Sequence, residues 1–374
     1  MKVLFVANIH KHFKAFHIPY IQYLKGLGCE VHVAANDPET IISEADKQYN
    51  LLIHRNPFSL NNLKAIKELK KIIAKENYGL IHCHTAMGSV VARLAAFKFR
   101  KNGNLKVLYT VHGFHFYKGA PKIYWLIYYS IEKYLSKNTD AIITINDEDF
   151  NLAKEKKFKA KDIFKIPGMG INPEKFKGIS LEDKEIIRIK NGYKKDTFIL
   201  IYVAEFIERK DHEFILEILP LIKNEINDFK FIFAGRGKLK VSMEKYVNKI
   251  GVSNYVDFLG FRKDIGELIV MSDVGVSVSK QEGLPMNIVE EMYAGKPVIA
   301  TKIRGHIDLI EDGKTGFLFP QGDRFGFINK IITIYKDKKL QELMSINAKN
   351  RAQLYELPNC IQDMGKIYSK FLDS

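Results

Sequence analysis

The chain has 374 residues, of which 46% are hydrophobic and 27% charged, and it carries a net charge of +15 at neutral pH. Single cores rarely grow beyond ~250–300 residues, so this length predicts two globular domains. The three cysteines lie too far apart for a CxxC pattern, and no apolar run reaches the ~20 residues of a membrane span, so we expect a cytoplasmic protein without disulfides or structural zinc.

The positive charge is concentrated in the first half of the chain. Residues 1–175 carry 27 Lys and Arg against 15 Asp and Glu, which places +12 of the total +15 there. A basic surface attracts nucleic acid, anionic lipid or phosphorylated small molecules. A lysine-rich composition throughout explains the total but accounts less well for the asymmetry, so both explanations stay open.

Apolar, β-branched segments of strand length alternate with helical segments in two successive series. Their near-continuous apolar character is typical of parallel strands that are covered on both faces. The pattern predicts an α/β fold with two Rossmann-like, doubly wound parallel-sheet domains. The strands are predicted at 2–7, 30–35, 79–84, 106–111 and 140–145 in the first series and at 198–204, 229–235, 255–260, 273–279 and 296–301 in the second.

A segment rich in proline and glycine separates the two series. Residues 166–173 read IPGMGINP, a composition that disfavours regular structure and suits a crossing between domains. We therefore predict a first domain at 1–170 and a second at 171–359. The C-terminal segment 360–374 carries apolar residues at helical spacing, and this stripe must cover another part of the protein.

Residues that follow the strands are the first candidates for a site, because doubly wound sheets bind ligands at the carboxyl ends of their strands. After the predicted strand 273–279, a glycine-containing loop leads into a helix that begins near Pro285. A helix N-terminus favours a phosphate group. Glu282 precedes this terminus and Glu290 lies in the second turn, so both carboxylates can face one ligand; alternatively, Glu282 caps the helix and Glu290 is solvated.

The segment resembles the EX7E motif of GT-B retaining glycosyltransferases of family 4, which include many enzymes of capsule, exopolysaccharide and lipopolysaccharide synthesis. Seven residues separate Glu282 from Glu290 within EGLPMNIVEEMYAGKPVIAT, and EDGKTGFLF follows. The segments HIPYIQYLKGLGCEVHVAA, TVHGFHF at 110–116 and GMGINPEKF at the linker extend the resemblance over nearly the whole chain. It implies two domains that face a central cleft, with helix 360–374 crossing back to the first domain.

The resemblance also implies roles for the residues of this motif. Glu282 would lie beside the donor sugar, where a carboxylate stabilises an oxocarbenium-like centre. Gly283, Leu284 and Pro285 would line the sugar and diphosphate pocket. Glu290 would accept hydrogen bonds from the ribose hydroxyls, since a carboxylate offers only acceptors.

Two basic residues follow the predicted strand 198–204 and open a helix. Arg209 and Lys210 there would repel the helix dipole unless an anion binds beside them. By resemblance, Lys210 neutralises the leaving diphosphate together with an upstream arginine, but Glu205 stands where many members carry that arginine. Either Arg209 substitutes for it, or Lys210 and a helix N-terminus suffice; a solvated basic loop is the alternative.

Three further positions follow strands of the second series. By resemblance, Gly235 would let the backbone approach the nucleotide, while Phe261 and Arg262 would flank the base. A plain turn is the alternative at each of these positions, because no full GxGxxG pattern occurs in the chain.

Histidines dominate the candidate positions of the first domain. His112 follows the predicted strand 106–111, and the resemblance places such a histidine against the donor sugar. Weaker candidates for acceptor contact are His17, His115 and Lys118. His82 and His84 share one face of a strand, but spacing shows no third ligand, and GT-B transferases generally dispense with metals. We therefore expect no metal and no cofactor, and activity that persists in EDTA.

The leading hypothesis is a retaining glycosyltransferase of cell-surface polysaccharide synthesis. It would move a sugar from a nucleotide-sugar donor, UDP being favoured over GDP by family habit, to a glycan or a lipid-diphosphate-linked acceptor. A nucleotide-sugar 2-epimerase of the GT-B type is a rival, although it would not be expected to carry the EX7E segment. A basic nucleic-acid-binding protein is a third possibility without a recognisable motif in this sequence.

A basic amphipathic helix is predicted at 63–75. Leu63, Ile66, Leu69, Ile72 and Ile73 fall near one face and lysines surround the rest, a pattern typical of a helix on an anionic membrane. A helix that covers its own sheet is the alternative. Further support for peripheral attachment to the inner face of the plasma membrane comes from Arg93, Lys98, Arg100, Lys101 and Lys106 and from the aromatics at 124–125 and 128–129.

Overall fold

A computed structural model of the protein describes residues 1–103 and 105–372. The chain divides into two compact units, residues 1–170 with 358–374, and residues 171–357. Residues 373 and 374 of the predicted C-terminal helix lie outside the described residues.

The first unit is built on one parallel sheet of seven strands. These are β1 (Lys2–Ile9), β2 (Glu30–Asn36), β3 (Lys47–Asn50), β4 (Leu80–His84), β5 (Lys106–Val111), β6 (Ala141–Thr144) and β7 (Asp162–Lys165). Their order in the sheet is β3-β2-β1-β4-β5-β6-β7, so the direction of winding reverses between β1 and β4. The helices are α1 (His10–Phe16), α2 (Ile18–Gly26), α3 (Leu60–Glu76), α4 (Ala86–Lys101), α5 (Lys122–Tyr124), α6 (Ser130–Ser136) and α7 (Asp147–Glu155), with a π-helical turn at Trp125–Tyr129.

The second unit repeats this plan with six parallel strands. They are β8 (Phe198–Val203), β9 (Phe229–Ala234), β10 (Val256–Gly260), β11 (Val274–Ser277), β12 (Val298–Thr301) and β13 (Gly316–Phe319), in the order β10-β9-β8-β11-β12-β13. Short 3-10 turns occupy Pro173–Phe176, Leu181–Asp183, Glu208–Lys210, Ser253–Tyr255 and Gln353–Tyr355. The helices are α8 (Lys184–Lys190), α9 (His212–Ile222), α10 (Lys240–Lys249), α11 (Ile265–Met271), α12 (Met286–Tyr293), α13 (His306–Leu309), α14 (Arg324–Lys336) and α15 (Lys338–Ala352).

The predicted fold class of two parallel-sheet α/β domains is confirmed. All ten predicted strands occur, because their continuous apolar side chains are buried under helices on both faces of each sheet. The sequence did not reveal β3, β7 and β13, which lie at sheet edges and are only four residues long.

The last helix, α16 (Leu357–Leu372), places nearly all of its length in the first unit. Its apolar stripe is buried, and the hydroxyl group of Tyr368 lies 2.7 Å from Nδ1 of His82 in the centre of the sheet. Lys370 adds a contact of 2.7 Å between its Nζ and Oδ1 of Asp162. Helix α16 thus closes one face of the first unit.

The sequence predicts that α3 and Arg93 of α4 contribute to a membrane-facing surface, but most of the apolar face of α3 and the side chain of Arg93 lie inside the first unit. Leu69 and Ile73 of α3 pack into the core, whereas Leu63 is exposed, so most of the apolar face covers the sheet. Arg93 is fully buried, donates to Glu132 at 2.8 Å and lies over the ring of Tyr109, so it adds nothing to surface charge. Among the described residues, no helix is long and apolar enough to cross a membrane.

We predict that Tyr368→Phe destabilises the first unit by about 1–3 kcal/mol, because it leaves Nδ1 of the buried His82 without its partner. Native-state hydrogen exchange at the amides of β4 would report the loss, while exchange in β8 should stay unchanged. Tyr134→Phe on α6 is the control, since this tyrosine is largely exposed. Equal effects of the two variants would contradict a stabilising role for the Tyr368 contact.

Candidate active site

A buried ion pair lies at the carboxyl ends of β8 and β11, which are neighbours in the sheet of the second unit. Nζ of Lys210 lies 2.5 Å from Oε1 of Glu282, and Nη1 of Arg209 lies 2.9 Å from the same oxygen. Lys210 and Glu282 are each less than a tenth exposed. Burial raises the pKa of the Glu282 carboxyl, but the charges of Lys210 and Arg209 outweigh this and hold the pKa below its ordinary value.

The turn that carries Lys210 is fixed to the end of β11. Tyr202 on β8 donates its hydroxyl hydrogen to the carbonyl oxygen of Lys210 at 2.8 Å, and Ser279 lies 3.0 Å from the same hydroxyl. The backbone N–H of Lys280 donates to the carbonyl of Arg209 at 2.7 Å. The backbone therefore determines where the lysine side chain lies, and Glu282 receives a cation in a fixed position.

The loop from Glu282 to helix α12 is held by a second arginine. Nε of Arg304 donates to the carbonyl oxygen of Glu282 at 2.9 Å. A Cβ at Gly305, whose φ is +80°, would come within 2.6 Å of the carbonyl of Gly283. Leu284 packs against the core beside α12, and Pro285 immediately precedes that helix. Gly283, Leu284 and Pro285 thus connect the ion pair to the helix that carries Glu290.

A cavity of about 480 Å³ opens beside Lys210 at the same end of the sheet. Five residues singled out in the sequence line it: Lys210, Gly235, Phe261, Arg262 and Glu290. Its remaining walls come from Val203, Ala204, Glu205, Ala234, Arg236, Ile265 and Asn287. The cavity therefore combines cationic, carboxylate, aromatic and amide groups in a space of the size that small-molecule ligands occupy.

Two features of the cavity wall favour a flat, charged ligand. Gly235 directly follows β9. A Cβ at this position would lie 1.9 Å from the carbonyl oxygen of Ala204, so only glycine fits there without a shift of the backbone. The ring of Phe261 is 67% exposed, and the guanidinium carbon of Arg236 lies 5.3 Å from its centre. Arg262 forms an ion pair with Asp264, which orients its guanidinium group.

Glu290 and Glu291 on α12 have different surroundings. Glu290 lines the cavity and pairs with Nζ of Lys175, which follows the linker between the two units. Glu291 points against Gly275 of β11 and is fully buried, and no hydrogen-bond partner of its carboxyl group occurs in the part of the chain that the structure describes. Burial raises the pKa of Glu291 well above its ordinary value.

Several residues of this site were not predicted from the sequence. Lys175 belongs to the linker segment GMGINPEKF and Arg304 comes shortly after β12, but nothing in the local sequence indicates that they contact Glu290 and Glu282. Arg236 carries a local indication, since it lies between two glycines directly after a strand. The candidate replacement for the family's upstream arginine, Arg209, is engaged with Glu282, while Glu205 is exposed at the cavity wall.

In the first unit, His112 and His17 lie in a cluster of histidines. Nε2 of His112 is 3.4 Å from Nε2 of His12, and burial lowers the pKa of His112 well below its ordinary value. His17 is fully buried, whereas His115 is exposed and stacks on Tyr128 at 4.7 Å between ring centres. Lys118 is also exposed, and its backbone N–H donates to Glu148 at 2.7 Å.

Comparisons with known proteins decide the family. The family model described as Glycosyl transferase 4-like matches residues 2–146, and the one described as Glycosyl transferases group 1 matches residues 183–351. A Bacillus subtilis (strain 168) protein named as the glycosyltransferase EpsD is 42% identical over 372 residues, which is 100% of this chain and 97% of the relative. This chain belongs to the family 4 glycosyltransferases of the GT-B type.

Two further similarities bear on this glycosyltransferase. An Escherichia coli protein named UDP-Gal:alpha-D-GlcNAc-diphosphoundecaprenol alpha-1,3-galactosyltransferase is 30% identical over 328 residues, covering 85% of this chain and 81% of the relative. The solved structure of Anabaena Alr3699/HepE in complex with UDP and glucose superposes with a TM-score of 0.79 at 21% identity, over 99% of this chain and 100% of that one. The prediction of a transferase that acts in glycan synthesis is confirmed, and the epimerase and nucleic-acid-binding alternatives give way to it.

We predict that Glu282→Gln lowers the stability of the second unit of this glycosyltransferase by about 2 kcal/mol at neutral pH, because Lys210 then faces an uncharged group. A depressed carboxyl pKa contributes stability that is fully present above the ordinary value of 4.5 and is lost as pH falls through the folded pKa. The difference between wild type and variant, measured by thermal unfolding, should therefore shrink in acid. Glu213→Gln, at an exposed position of α9, is the control. A difference that is independent of pH would contradict the charged state of Glu282.

Proposed function

We propose that the protein is a retaining glycosyltransferase that uses a UDP-sugar and acts on a glycan or lipid-diphosphate-linked acceptor in cell-surface polysaccharide synthesis. The second unit would bind the nucleotide sugar, and the first unit would bind the acceptor. The observation that carries this proposal is the cavity lined by both Lys210 and Glu290, with Glu282 in contact with Lys210.

The cavity offers a group for each part of a nucleoside diphosphate. Lys210 and Arg236 supply positive charge for the diphosphate, with Arg262 on the same wall. The carboxylate of Glu290 can accept hydrogen bonds from two ribose hydroxyls once Lys175 gives up part of its contact with it. Phe261 exposes a ring face on which a base can stack.

The ion pair explains how donor activation can follow from this geometry. Departure of the diphosphate leaves positive charge at the anomeric carbon and negative charge on the leaving group. Glu282 carries the negative charge and Lys210 the positive charge that these two centres require, and each is fixed before the donor binds. By the family resemblance, the neutral ring of His112 would accept or donate a hydrogen bond at the donor sugar.

The comparisons support the donor and acceptor classes. The E. coli relative carries a UDP-sugar donor and a sugar linked to diphosphoundecaprenol in its name, and the Anabaena structure holds UDP and glucose. We infer that the leaving diphosphate needs no metal ion or cofactor, because three cationic side chains line the cavity.

We expect Lys210→Ala and Glu282→Gln to reduce turnover by about 100–1,000-fold, equivalent to ~3–4 kcal/mol, because each removes charge stabilisation at the reacting centre. Glu290→Ala should mainly raise the donor KM, since ribose contacts are equal in the ground and transition states. Steady-state kinetics with a panel of UDP-sugars and lipid-diphosphate acceptors would measure both effects. Lys223→Ala, at the far end of α9, is the control for loss of a lysine. Turnover near wild type in Lys210→Ala or Glu282→Gln would contradict the site.

A lipid-linked acceptor requires the enzyme to reach a membrane surface, and we propose that the N-terminal end of α3 provides the contact. Phe58, Leu60 and Leu63 are all more than half exposed there, and Lys64 and Lys67 lie within the next turn and are exposed too. Three adjoining apolar side chains next to lysines are suited to insertion among anionic headgroups. The rest of α3 stays packed on the sheet.

Liposome flotation tests this contact. Binding should appear with anionic vesicles, weaken as salt rises, and fall when Lys64, Lys67 and Lys71 are changed to glutamate, because each lysine near the surface contributes ~1 kcal/mol. The same change at exposed lysines of the second unit, Lys223, Lys245 and Lys249, is the matched control and should have little effect. Indifference to anionic vesicles at low salt would contradict the contact and favour a soluble acceptor.

A further inference from the structure

Five of the eleven histidines of the chain lie together in the first unit, at the point where the sheet reverses its winding. Helix α1 and the residue after it follow β1, while β4 and β5 end beside them, so loops from three strands meet here. The ring centres of neighbouring members are 3.8–4.9 Å apart. The histidine cluster consists of His12, His17, His82, His84 and His112.

Two members of the histidine cluster pack as rings in the core but leave their ring nitrogens unsatisfied. His17 and His84 are fully buried, and neither ring nitrogen of either residue has a hydrogen-bond partner among residues 1–103 and 105–372. An unpaired buried polar group costs about 1–3 kcal/mol of stability, so its presence calls for a ligand or another compensating role. His82 differs, since Tyr368 and Thr110 lie at 2.7 and 2.8 Å from its two nitrogens.

The distances within the histidine cluster match those of a tetrahedral metal site. Nitrogen ligands that lie 2.0–2.1 Å from a tetrahedral Zn²⁺ are about 3.3–3.4 Å from each other. The Nε2 atoms of His12 and His112 are 3.4 Å apart. One nitrogen of each of His12, His17 and His112 lies within 4.8 Å of the other two, so a small movement of the rings completes a triangle of ligands.

We propose that His12, His17 and His112 bind a zinc-class divalent cation and leave its fourth position open to water or a substrate oxygen. Three imidazoles with an open fourth position are a known ligand set for zinc, whereas Mg²⁺ and Ca²⁺ prefer carboxylate oxygens. The rings are neutral and available as ligands, because burial lowers the pKa of each, to about 4 for His12.

A second group of possible ligands is a weaker candidate. Glu30, His32 and Glu76 also place their ligand atoms within 4.8 Å of one another. Lys2 and Lys47 already neutralise Glu76 at 2.8 and 2.7 Å, so this group has its countercharge in the protein itself. The rings of His12, His17 and His112 are not neutralised by such an ion pair, and the unpaired nitrogens of His17 distinguish them from the second group.

The metal site has a consequence that rests on the proposed function. His112 is proposed to contact the donor sugar, and a bound metal would occupy its nitrogen at 3.4 Å from His12. Zinc should therefore inhibit sugar transfer, and EDTA should restore it. Transfer itself would run in the metal-free enzyme.

Metal binding is measured directly on the full-length protein, independently of activity. Chelator-treated protein titrated with Co²⁺ should take up one equivalent with the visible absorption of a tetrahedral cobalt complex, and Zn²⁺ should displace it. His12→Ala should weaken the affinity more than about 100-fold, since even loss of a group that only supports a ligand costs 10–100-fold. His12 is only partly buried, which keeps this variant informative if His17→Ala fails to fold.

The control is His54→Gln, which removes an exposed histidine of the same unit that lies outside the histidine cluster. It should leave cobalt binding unchanged. Absence of cobalt and zinc binding at micromolar concentrations in wild type, or equal binding by folded His12→Ala, would overturn the metal site. Failure of sugar transfer in metal-free buffer would instead count against the proposed function, because the cobalt titration decides the metal site without it.

Discussion

The contact between Lys210 and Glu282 is the interaction on which the site of the second unit depends. Two charges at 2.5 Å are buried together at the boundary between β8 and β11, where the winding of the sheet reverses. Loops from the two strands must separate at this point, so a crevice opens there for topological reasons. Removal of either charge leaves the other buried without its full compensation, so neither residue can be replaced by an uncharged one at no cost in stability. The two arginines that bind Glu282, Arg209 through the carboxylate and Arg304 through the backbone, reinforce the same position.

The local sequence predicted the fold and several residues of the site for a physical reason. Strands buried on both faces need continuous apolar side chains, and the residues directly after them are placed at the ligand-binding edge by the topology alone. That is why Lys210, Gly235 and Phe261, which follow strands, line one cavity, whereas Glu290 on α12 was assigned to it through the resemblance to the EX7E motif. Contacts between distant segments could not be predicted in this way: Lys175 on Glu290, Arg304 on Glu282 and the approach of His12 to His112 each depend on how loops far apart in the chain meet.

Charge counts from the sequence were least informative about the surface. The 27 Lys and Arg of residues 1–175 include Arg93, which is buried with Glu132, and Arg100, which forms two hydrogen bonds with Asp140 at 2.7 and 3.1 Å. A sequence pattern cannot distinguish such internal charges from those that face solvent. What remains on α3 is a small exposed apolar group, including Leu60, which lies beside exposed lysines at one end of the helix.

Hydrogen–deuterium exchange with saturating UDP tests whether the nucleotide binds in the second unit, since it locates the nucleotide without any knowledge of sugar or acceptor. Binding of UDP in the cavity of the second unit should slow exchange at the backbone amides of the residues that line it, among them 204–205, 210, 234–236, 261–262, 287 and 290. The amides of β12 and of helix α14, which do not line the cavity, should keep their rates. Protection confined to the first unit, or none at a UDP concentration that stabilises the protein against heat, would contradict the assignment of the nucleotide to this site.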